Sequence, residues 1–399
     1  MSGRLRARWL AEPDVVQVME ALAAGGRPAR FVGGCVRDTL AGLDGGGTDL
    51  DIATPEPPRR VMALLAAAGF RPLPTGLQHG TVSVVQGRRR FEITTLRRDV
   101  ATDGRHAVVE FTDDFAADAA RRDFTINAMS CEADGTLHDP VGGRADLATG
   151  RVRFVGDPMV RITEDYLRVL RFFRFHARFG RGAPDAAALT ACAALAAGID
   201  GLSGERVRQE LWLILALGEP LRALEPMAAT GVLGRVIAGP VRLAALRSPV
   251  LPAEPLLGLA ALLRPSPRER AEALAGRLRL ANRERERLAA LVATPSPEGD
   301  DRAQRLGLSR LGADLYRDLA RLDMASGALA AGTGAHRLAL ADQWVEPAFP
   351  LTGADLLALG VPEGREVGRI LALVRAEWER SDFALDRAAC LARARELTL

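Results

Sequence analysis

The sequence predicts an α+β fold in which a domain with a mixed sheet precedes a wholly helical region. In the first 155 residues or so, short apolar runs such as ARFVGG, DLDIAT and RFEITTL are punctuated by glycine and proline, which is typical of strands. From about residue 160 onward, Ala, Leu, Arg and Glu recur at three- and four-residue spacing, which is typical of helices. We therefore expect domains over 1–150, 151–245 and 246–399, the last two helical.

The chain has 399 residues, and all 53 of its basic residues are arginine. The absence of lysine excludes Schiff-base chemistry and a Walker-type phosphate loop, because both depend on a lysine side chain. A net charge of +3 is too small to mark the whole chain as a nucleic-acid binder, so any basic surface must be local. A GC-rich genome is the simplest reason for the exclusive use of arginine.

Cysteine usage and hydropathy predict a protein of the reducing cytoplasm. Cys35, Cys131, Cys192 and Cys390 are scattered and form no CxxC pair, which disfavours a disulfide framework or a zinc site. The longest apolar run, residues 186–198, is too short to span a membrane, and the N-terminal segment lacks a signal-peptide core. We expect no membrane association and no obligate protein partner.

Two aspartates in a strand-like run predict a divalent metal site. Asp49 and Asp51 lie on the same face of a strand, where the carboxylates repel each other unless a cation lies between them. Glu92 is either an outward-facing surface residue or a third acid from the neighbouring strand, and beside the aspartate pair we favour the third acid. Three acids around two metals about 4 Å apart would stabilise an in-line phosphoryl displacement, with a substrate hydroxyl as nucleophile.

Two further motifs suit a nucleotide. Gly33 and Gly34 follow an apolar strand and open a helix, so backbone N–H groups could approach a phosphate, although a double glycine is also a common turn. In the run RRDFTINA, Arg122 suits a phosphate, and Asp123 and Asn127 suit sugar hydroxyls. The alternative for this run is a helix cap beside a solvated basic pair.

The segment EDYLRVLRFFRF carries a line of charged residues at helical spacing. We expect Asp165, Arg168, Arg171, Arg174 and Arg178 to share one broad face of a single helix. A solvated amphipathic face is the usual explanation of such a pattern. An aspartate three residues before an arginine also offers an acceptor and a fork of donors that could read the edge of a base.

The runs GGCVRD, DLD, RRDFTINA, DPVGGRADL and EDYLRVLRFFRF, in this order, resemble the motifs of class II tRNA nucleotidyltransferases, the CCA-adding enzymes, which are similar to bacterial poly(A) polymerases. The resemblance covers about the first 180 residues. It implies a polymerase-β-type catalytic head with a mixed sheet, followed by an all-α neck, body and tail. It also implies template-independent addition of CCA to tRNA 3′ ends from CTP and ATP. Poly(A) polymerase and partial CC- or A-adding activity remain alternatives.

The resemblance also implies roles for individual residues. Asp49 and Asp51 would hold Mg²⁺, Glu92 would complete the catalytic acids, and Asp165 and Arg168 would act as an amino-acid template for cytosine or adenine. The implied nucleotide-binding residues are Gly33, Gly34, Arg37, Asp38, Arg122, Asp123, Asn127, Asp165, Arg168, Arg171 and Arg174. Residues 97–106 resemble the family's flexible loop, and the glycine run at 43–48 departs from the family pattern. A sugar transferase with a DxD motif and a non-catalytic RNA-binding module are more distant alternatives.

Overall fold

The computed structural model describes residues 3–43, 46–47, 49–102 and 107–398. The chain divides into two compact units, Met1–Gly239 and Pro240–Leu399. The expected boundary between residues 245 and 246 lies close to this division. The expected head and neck, by contrast, both lie within the first unit, because helices from the second part of that unit pack on the head.

The first unit contains the sheets. Among the described residues, seven strands form one sheet in the order β3-β4-β5-β2-β1-β8-β9, and β6 and β7 form a separate hairpin. Strands β2 and β5 are parallel and the other pairs are antiparallel, so the sheet is mixed, as predicted. The strands are β1 Arg30–Val32, β2 Asp49–Thr54, β3 Leu73–Gly76, β4 Thr81–Gln86, β5 Arg89–Thr95, β6 Arg97–Thr102, β7 Ala107–Phe111, β8 Ser130–Cys131 and β9 Leu137–His138.

Alternation along the two central strands separates the core from the functional face. Leu50 and Ile52 on β2 are fully buried, as is Phe91 on β5, whereas Asp51 and Glu92 lie on the opposite face. This period-2 pattern is the one expected for a strand with one apolar side. The carboxylates therefore project away from the core of the sheet.

The helices of the first unit surround the sheet and complete its core. Helix α7 is rich in phenylalanine, and Phe172 stacks on Phe154 while Phe124 packs between Phe154 and Phe175, with ring centroids 4.8–5.8 Å apart. The helices are α1 Pro13–Ala23, α2 Gly34–Leu40, α3 Pro58–Ala67, α4 Phe115–Ala120, α5 Gly143–Thr149, α6 Pro158–Glu164, α7 Leu167–Phe179, α8 Ala186–Ala194, α9 Gly204–Leu215, α10 Leu221–Ala229 and α11 Val232–Val236. Short 3₁₀ turns occupy Arg8–Ala11, Leu77–His79, Thr125–Asn127 and Ala196–Gly201.

The expected single helix through Asp165 is wrong. Helix α6 ends at Glu164, and Asp165 has an extended backbone with φ −159° and ψ 106°. Its carboxylate accepts a hydrogen bond from the backbone N–H of Leu167 over 3.1 Å, at the first residue of α7. An aspartate that bonds the backbone two residues ahead competes with helical hydrogen bonding and favours a turn. Asp165 therefore precedes the helix that carries Arg168.

The second unit is helical throughout its described residues, as predicted. One of its cores gathers Leu308, Tyr316 and Ala341, and another surrounds Ile370 and Trp378. The helices are α12 Pro255–Leu263, α13 Arg268–Arg277, α14 Asn282–Ala293, α15 Asp301–Leu311, α16 Ala313–Ser326, α17 Ala331–Gln343, α18 Gly353–Ala358, α19 Arg365–Arg380 and α20 Arg387–Glu396, with a 3₁₀ turn at Leu243–Arg247. In the described parts of both units, no helix has the length and apolar character of a membrane span.

Candidate active site

A cleft of about 640 Å³ in the first unit brings together most of the predicted site residues. Its wall is formed by the end of β1, the middle of β2 and of β5, the turn before α2, the segment after α4, α7 and one residue of α9. The predicted residues that line it are Gly33, Gly34, Arg37, Asp51, Glu92, Arg122, Asp123, Asn127, Asp165, Arg168 and Arg171. Asp38, Asp49 and Arg174 are not among the lining residues.

The register of the sheet places the acids side by side. In the parallel pairing of β2 with β5, Asp51 lies opposite Glu92 and Asp49 lies opposite Arg90. Partial loss of water around the carboxylate and the nearby charges of Glu92 and Asp49 raise the pKa of Asp51, and Arg122 opposes this effect. The neighbouring carboxylates thus disfavour the charged form of Asp51, and a cation bound between them would relieve that repulsion.

A preformed cluster of three acids is not present. Among the described residues, no group of three or more His, Cys, Asp and Glu side chains is arranged to hold a metal ion. Glu92 instead forms an ion pair with Arg90 over 2.7 Å. This ion pair offsets part of the negative charge of Glu92. The oxygen donors of Asp51 and its strand neighbour still fit a hard divalent cation.

Gly33 allows a close approach between the turn before α2 and the acids. Its φ is +71°, and a Cβ built there would lie 3.4 Å from Nη1 of Arg122 and 3.9 Å from Oδ2 of Asp51. A positive φ and this proximity both favour glycine over any residue with a side chain. Arg122 is held at this position by Asp118, which accepts a hydrogen bond from Nη2 over 3.0 Å.

Arg37 forms part of the cleft wall, and Asp38 lies behind it. Arg37 is 6% exposed, donates to Asp38 over 2.7 Å and to Oδ1 of Asn127 over 2.6 Å, and lies against the rings of Phe175 and Phe179. The Arg37 guanidinium is thus held by protein groups at the cleft wall, and Asp38 holds it without lining the cleft. Nucleotide binding by these two residues stays a prediction.

Asp123 is also saturated by protein donors. One oxygen accepts from the N–H of Phe124 and from Nδ2 of Asn127 over 2.8 and 2.9 Å, and the other accepts from Nε and Nη2 of Arg171 over 2.8 and 2.6 Å. Burial alone would raise the pKa of Asp123, but Arg171 and these hydrogen bonds lower it. Four donors thus surround the carboxylate, and its predicted contact with a ribose hydroxyl stays a prediction.

The two residues of the expected base template each have a protein partner and do not pair with each other through their side chains. Asp165 accepts a hydrogen bond from Nη2 of Arg206 over 2.7 Å. Arg168 forms an ion pair with Glu164 and donates to the carbonyl oxygens of Arg161 and Arg121 over 2.7 and 3.3 Å. Asp165 and Arg168 both line the cleft despite these contacts.

Helix α9 supplies two site residues that the sequence did not indicate. Arg206 lines the cleft and pairs with Asp165, and one turn later the buried Glu210 accepts from Nε of Arg174 over 2.6 Å and lies 3.6 Å from Arg171. Arg174 is thus held by Glu210 and does not line the cleft, and its expected role in the nucleotide pocket stays a prediction. The i, i+4 spacing of Arg206 and Glu210 was the only local signal, and it is common on any helix.

Two family models match the first unit. Residues 29–153 match the model described as "Poly A polymerase head domain", and residues 184–240 match "Probable RNA and SrmB- binding site of polymerase A". The first match contains the acids, Gly33 and Asp123, and the second contains α9.

Curated relatives extend the likeness over nearly the whole chain. The mitochondrial CCA tRNA nucleotidyltransferase 1 of Danio rerio is 36% identical over 372 residues, which cover 90% of this chain and 85% of that protein. The enzyme of the same name from Mus musculus is 34% identical over 386 residues, with 92% and 86% of the two chains covered. This chain belongs to the CCA tRNA nucleotidyltransferase family. The predicted enzyme class is thereby confirmed.

Solved structures agree with this family and with the predicted polymerase-β-type head and helical region. The CCA-adding enzyme of Bacillus stearothermophilus in complex with CTP has a TM-score of 0.76 at 25% identity, with 97% of this chain and 98% of that chain covered. The Thermotoga maritima CCA-adding enzyme complexed with tRNA has a TM-score of 0.70 at 20% identity, with all of both chains covered. This second likeness concerns the fold alone.

Proposed function

We propose that this protein adds C, C and A in turn to tRNA 3′ ends, using CTP and ATP without a nucleic-acid template. The observation that carries the proposal is the composition of one cleft. Its floor has the adjacent carboxylates of Asp51 and Glu92, and its wall has the template pair Asp165 and Arg168. A cleft that combines a cation site with a base-reading pair suits a nucleotidyltransferase that selects its own nucleotide.

The acids of the sheet give the cleft its reactive end. Asp49 and Asp51 would hold Mg²⁺, which when bound activates a terminal hydroxyl and offsets charge on the triphosphate. The raised pKa of Asp51 is consistent with this role, since a dication relieves the repulsion from its carboxylate neighbours. Arg122 lies within reach of Asp51 and Gly33 and would hold the phosphates at the same end.

The opposite wall would select the base. Cytosine and adenine each present an exocyclic amino group, whereas uracil and guanine present a carbonyl oxygen at the corresponding position. A carboxylate at Asp165 accepts from the amino group and repels the carbonyl, and Arg168 supplies donors for a ring acceptor. Arg37, Asp123, Asn127 and Arg171 would fix the wall through their mutual hydrogen bonds, as an interlocked set.

The proposal includes a location in the cytosol. All four cysteines are buried and unpaired, which agrees with a reducing compartment. Burial raises the pKa of Cys35 and Cys131 to about 12, so these thiols stay protonated and unreactive. They are structural residues of the core.

The test uses tRNA that ends at the discriminator base, incubated with CTP, ATP or both, followed by sequencing of the 3′ ends. We expect two cytidines with CTP alone, and CCA with both nucleotides. Long adenosine tails on an unrelated RNA would identify a poly(A) polymerase instead. Addition that stops after CC with both nucleotides, or that requires a preformed CC end, would identify a partial enzyme.

A further inference from the structure

A second basic cavity lies in the first unit, apart from the cleft. It has a volume of about 510 Å³, and we call it the arginine pocket because Arg144, Arg178, Arg181 and Arg222 line it. These residues come from α5, the end of α7, the segment after α7 and α10. None of the described residues lining the pocket is acidic. None of these four arginines takes part in the proposed chemistry, and none lines the cleft.

Helix capping explains only part of this cluster. Arg181 donates from Nη1 to the carbonyl oxygen of Ala148 over 3.4 Å, and Arg222 donates from Nη2 to that of Gly180. An arginine near a helix C-terminus stabilises the last carbonyl groups of the helix. Capping therefore accounts for one N–H donor of Arg181 and one of Arg222. A guanidinium has five N–H donors in a planar fork, which leaves capacity for an anion.

The pKa of a neighbouring histidine indicates a positive electrostatic environment at the arginine pocket. Burial and the charge of Arg222 lower the pKa of His176, which lies on the last turns of α7. Two carboxylates contact arginines of the cluster: Asp38 accepts from Arg178 over 3.1 Å, and the exposed Glu219 lies 3.9 Å from Arg222. Asp139 accepts from the backbone N–H of Arg144 over 3.0 Å. Arg144 and Arg181 are exposed to solvent, so an extended ligand can reach them.

We propose that the arginine pocket binds phosphodiester groups of the tRNA backbone. Exposed arginines that converge from separate elements suit a polyanion that passes along a surface, and phosphate contacts position RNA without reading its sequence. Arg222 also lies in the segment that matches the RNA-binding model. The inference rests on the proposed function, since it takes tRNA as the substrate. It adds a contact that would fix the RNA while nucleotides are exchanged in the cleft.

The test measures the Kd for tRNA lacking CCA, without nucleotides, at salt concentrations from about 50 to 200 mM. The double variant Arg144→Ala/Arg181→Ala removes two exposed guanidiniums. We expect roughly tenfold weaker binding, about 1.4 kcal/mol, and a salt slope reduced by about one for each lost phosphate contact. The kcat and the KM for CTP should remain unchanged at saturating tRNA, because neither residue lines the cleft.

A matched control separates this effect from loss of net charge. Arg59→Ala/Arg60→Ala removes the same charge from two exposed positions on α3, outside the pocket. Arg144→Lys/Arg181→Lys keeps both charges and should keep most of the salt slope. Equal losses in the pocket variant and the α3 variant would overturn the proposal, as would a lysine variant that binds as weakly as the alanine variant. Failure of the wild type to add CCA, with tRNA binding intact, would instead refute the proposed function.

Discussion

Arg206 on α9 holds Oδ2 of Asp165 with a hydrogen bond of 2.7 Å, although the two residues lie on separate elements and 41 positions apart. The other oxygen of Asp165 accepts the N–H of Leu167. The orientation of this carboxylate is therefore fixed before any base arrives. Preorganisation of this kind reduces the cost of ordering the site when a ligand binds.

Arg206→Ala should weaken base selection more than tRNA binding. Without its partner, the Asp165 carboxylate can rotate, and we expect preference for CTP over UTP to fall by roughly tenfold, equivalent to about 1.4 kcal/mol. The measurement is kcat/KM for each of the four nucleoside triphosphates. Arg206→Lys should recover part of the preference, whereas Arg208→Ala on the same helix should leave it unchanged. A uniform loss with all four nucleotides would contradict the positioning role.

Arg171→Ala should destabilise the protein in a pH-dependent way. The lowered pKa of Asp123 means that its pairing stabilises the native state above the unfolded pKa, and that this contribution is lost as pH falls through the folded pKa. Without Arg171, the buried carboxylate costs roughly 2 kcal/mol at pH 7, less than for a fully buried pair because Arg171 is 32% exposed. Its pKa then rises, so the cost shrinks as pH falls.

Urea unfolding of the wild type and of Arg171→Ala at pH 7 and pH 5 measures this difference. The double variant Asp123→Asn/Arg171→Ala is the control, since it removes the charge that needs compensation. We expect it to be more stable than Arg171→Ala at pH 7 and to show a smaller pH dependence. A stability loss in Arg171→Ala of the same size at both pH values would show that packing, rather than charge, is responsible.

Period-2 alternation was enough to predict that Asp49 and Asp51 share one face of a strand, but other parts of the site depend on distant contacts. The pairing of Asp51 with Glu92 is a property of strand register, which two separate runs of sequence do not specify. The contact between Arg206 and Asp165 joins α9 to the turn between α6 and α7, and nothing local distinguishes Arg206 from the many other arginines. Burial of Arg37 between Phe175 and Phe179 likewise follows from helix packing.

The motifs also do not distinguish residues that would bind the nucleotide from residues that hold the cleft wall in place. Asp38, Asp123 and Arg174, which the motifs imply to be nucleotide-binding, each have a charged protein partner in the structure. A sequence motif shows only that certain residues occur together. Residues that would bind a nucleotide and residues that hold them in place both belong to the motif, so the motif does not separate them. Part of the glycine run at 43–48 and the tip of the loop over 97–106 lie outside the described residues, while β6 and β7 flank that tip as a hairpin.

Arg89→Ala should lower both stability and turnover, because Arg89 fixes the segment that leads into β2. It is 2% exposed, and it donates to the carbonyl oxygens of Gly46 and Gly47 and to the carboxylates of Glu12 and Asp14 over 2.6–3.2 Å. Loss of a buried charged partner of this kind costs roughly 3 kcal/mol. The loosened segment would also misplace Asp49.

Thermal unfolding and kcat for CTP incorporation measure the two effects. The neighbouring Arg88 is exposed, so Arg88→Ala removes the same charge and serves as the control. We expect Arg88→Ala to change the melting temperature by less than about 1 °C, consistent with a surface substitution away from any special feature. If Arg89→Ala lowered the melting temperature but left turnover unchanged, Arg89 would stabilise the fold without positioning Asp49.

The most direct test of the catalytic cleft is CTP incorporation by Asp51→Asn across a titration of Mg²⁺. The substitution keeps the shape of the side chain but removes one charged ligand, so incorporation should fall by about a thousandfold or more while the Kd for tRNA stays within about twofold. Asp113→Asn, at an exposed acid outside the cleft, should behave as the wild type. Normal incorporation by Asp51→Asn at saturating Mg²⁺ would contradict the account.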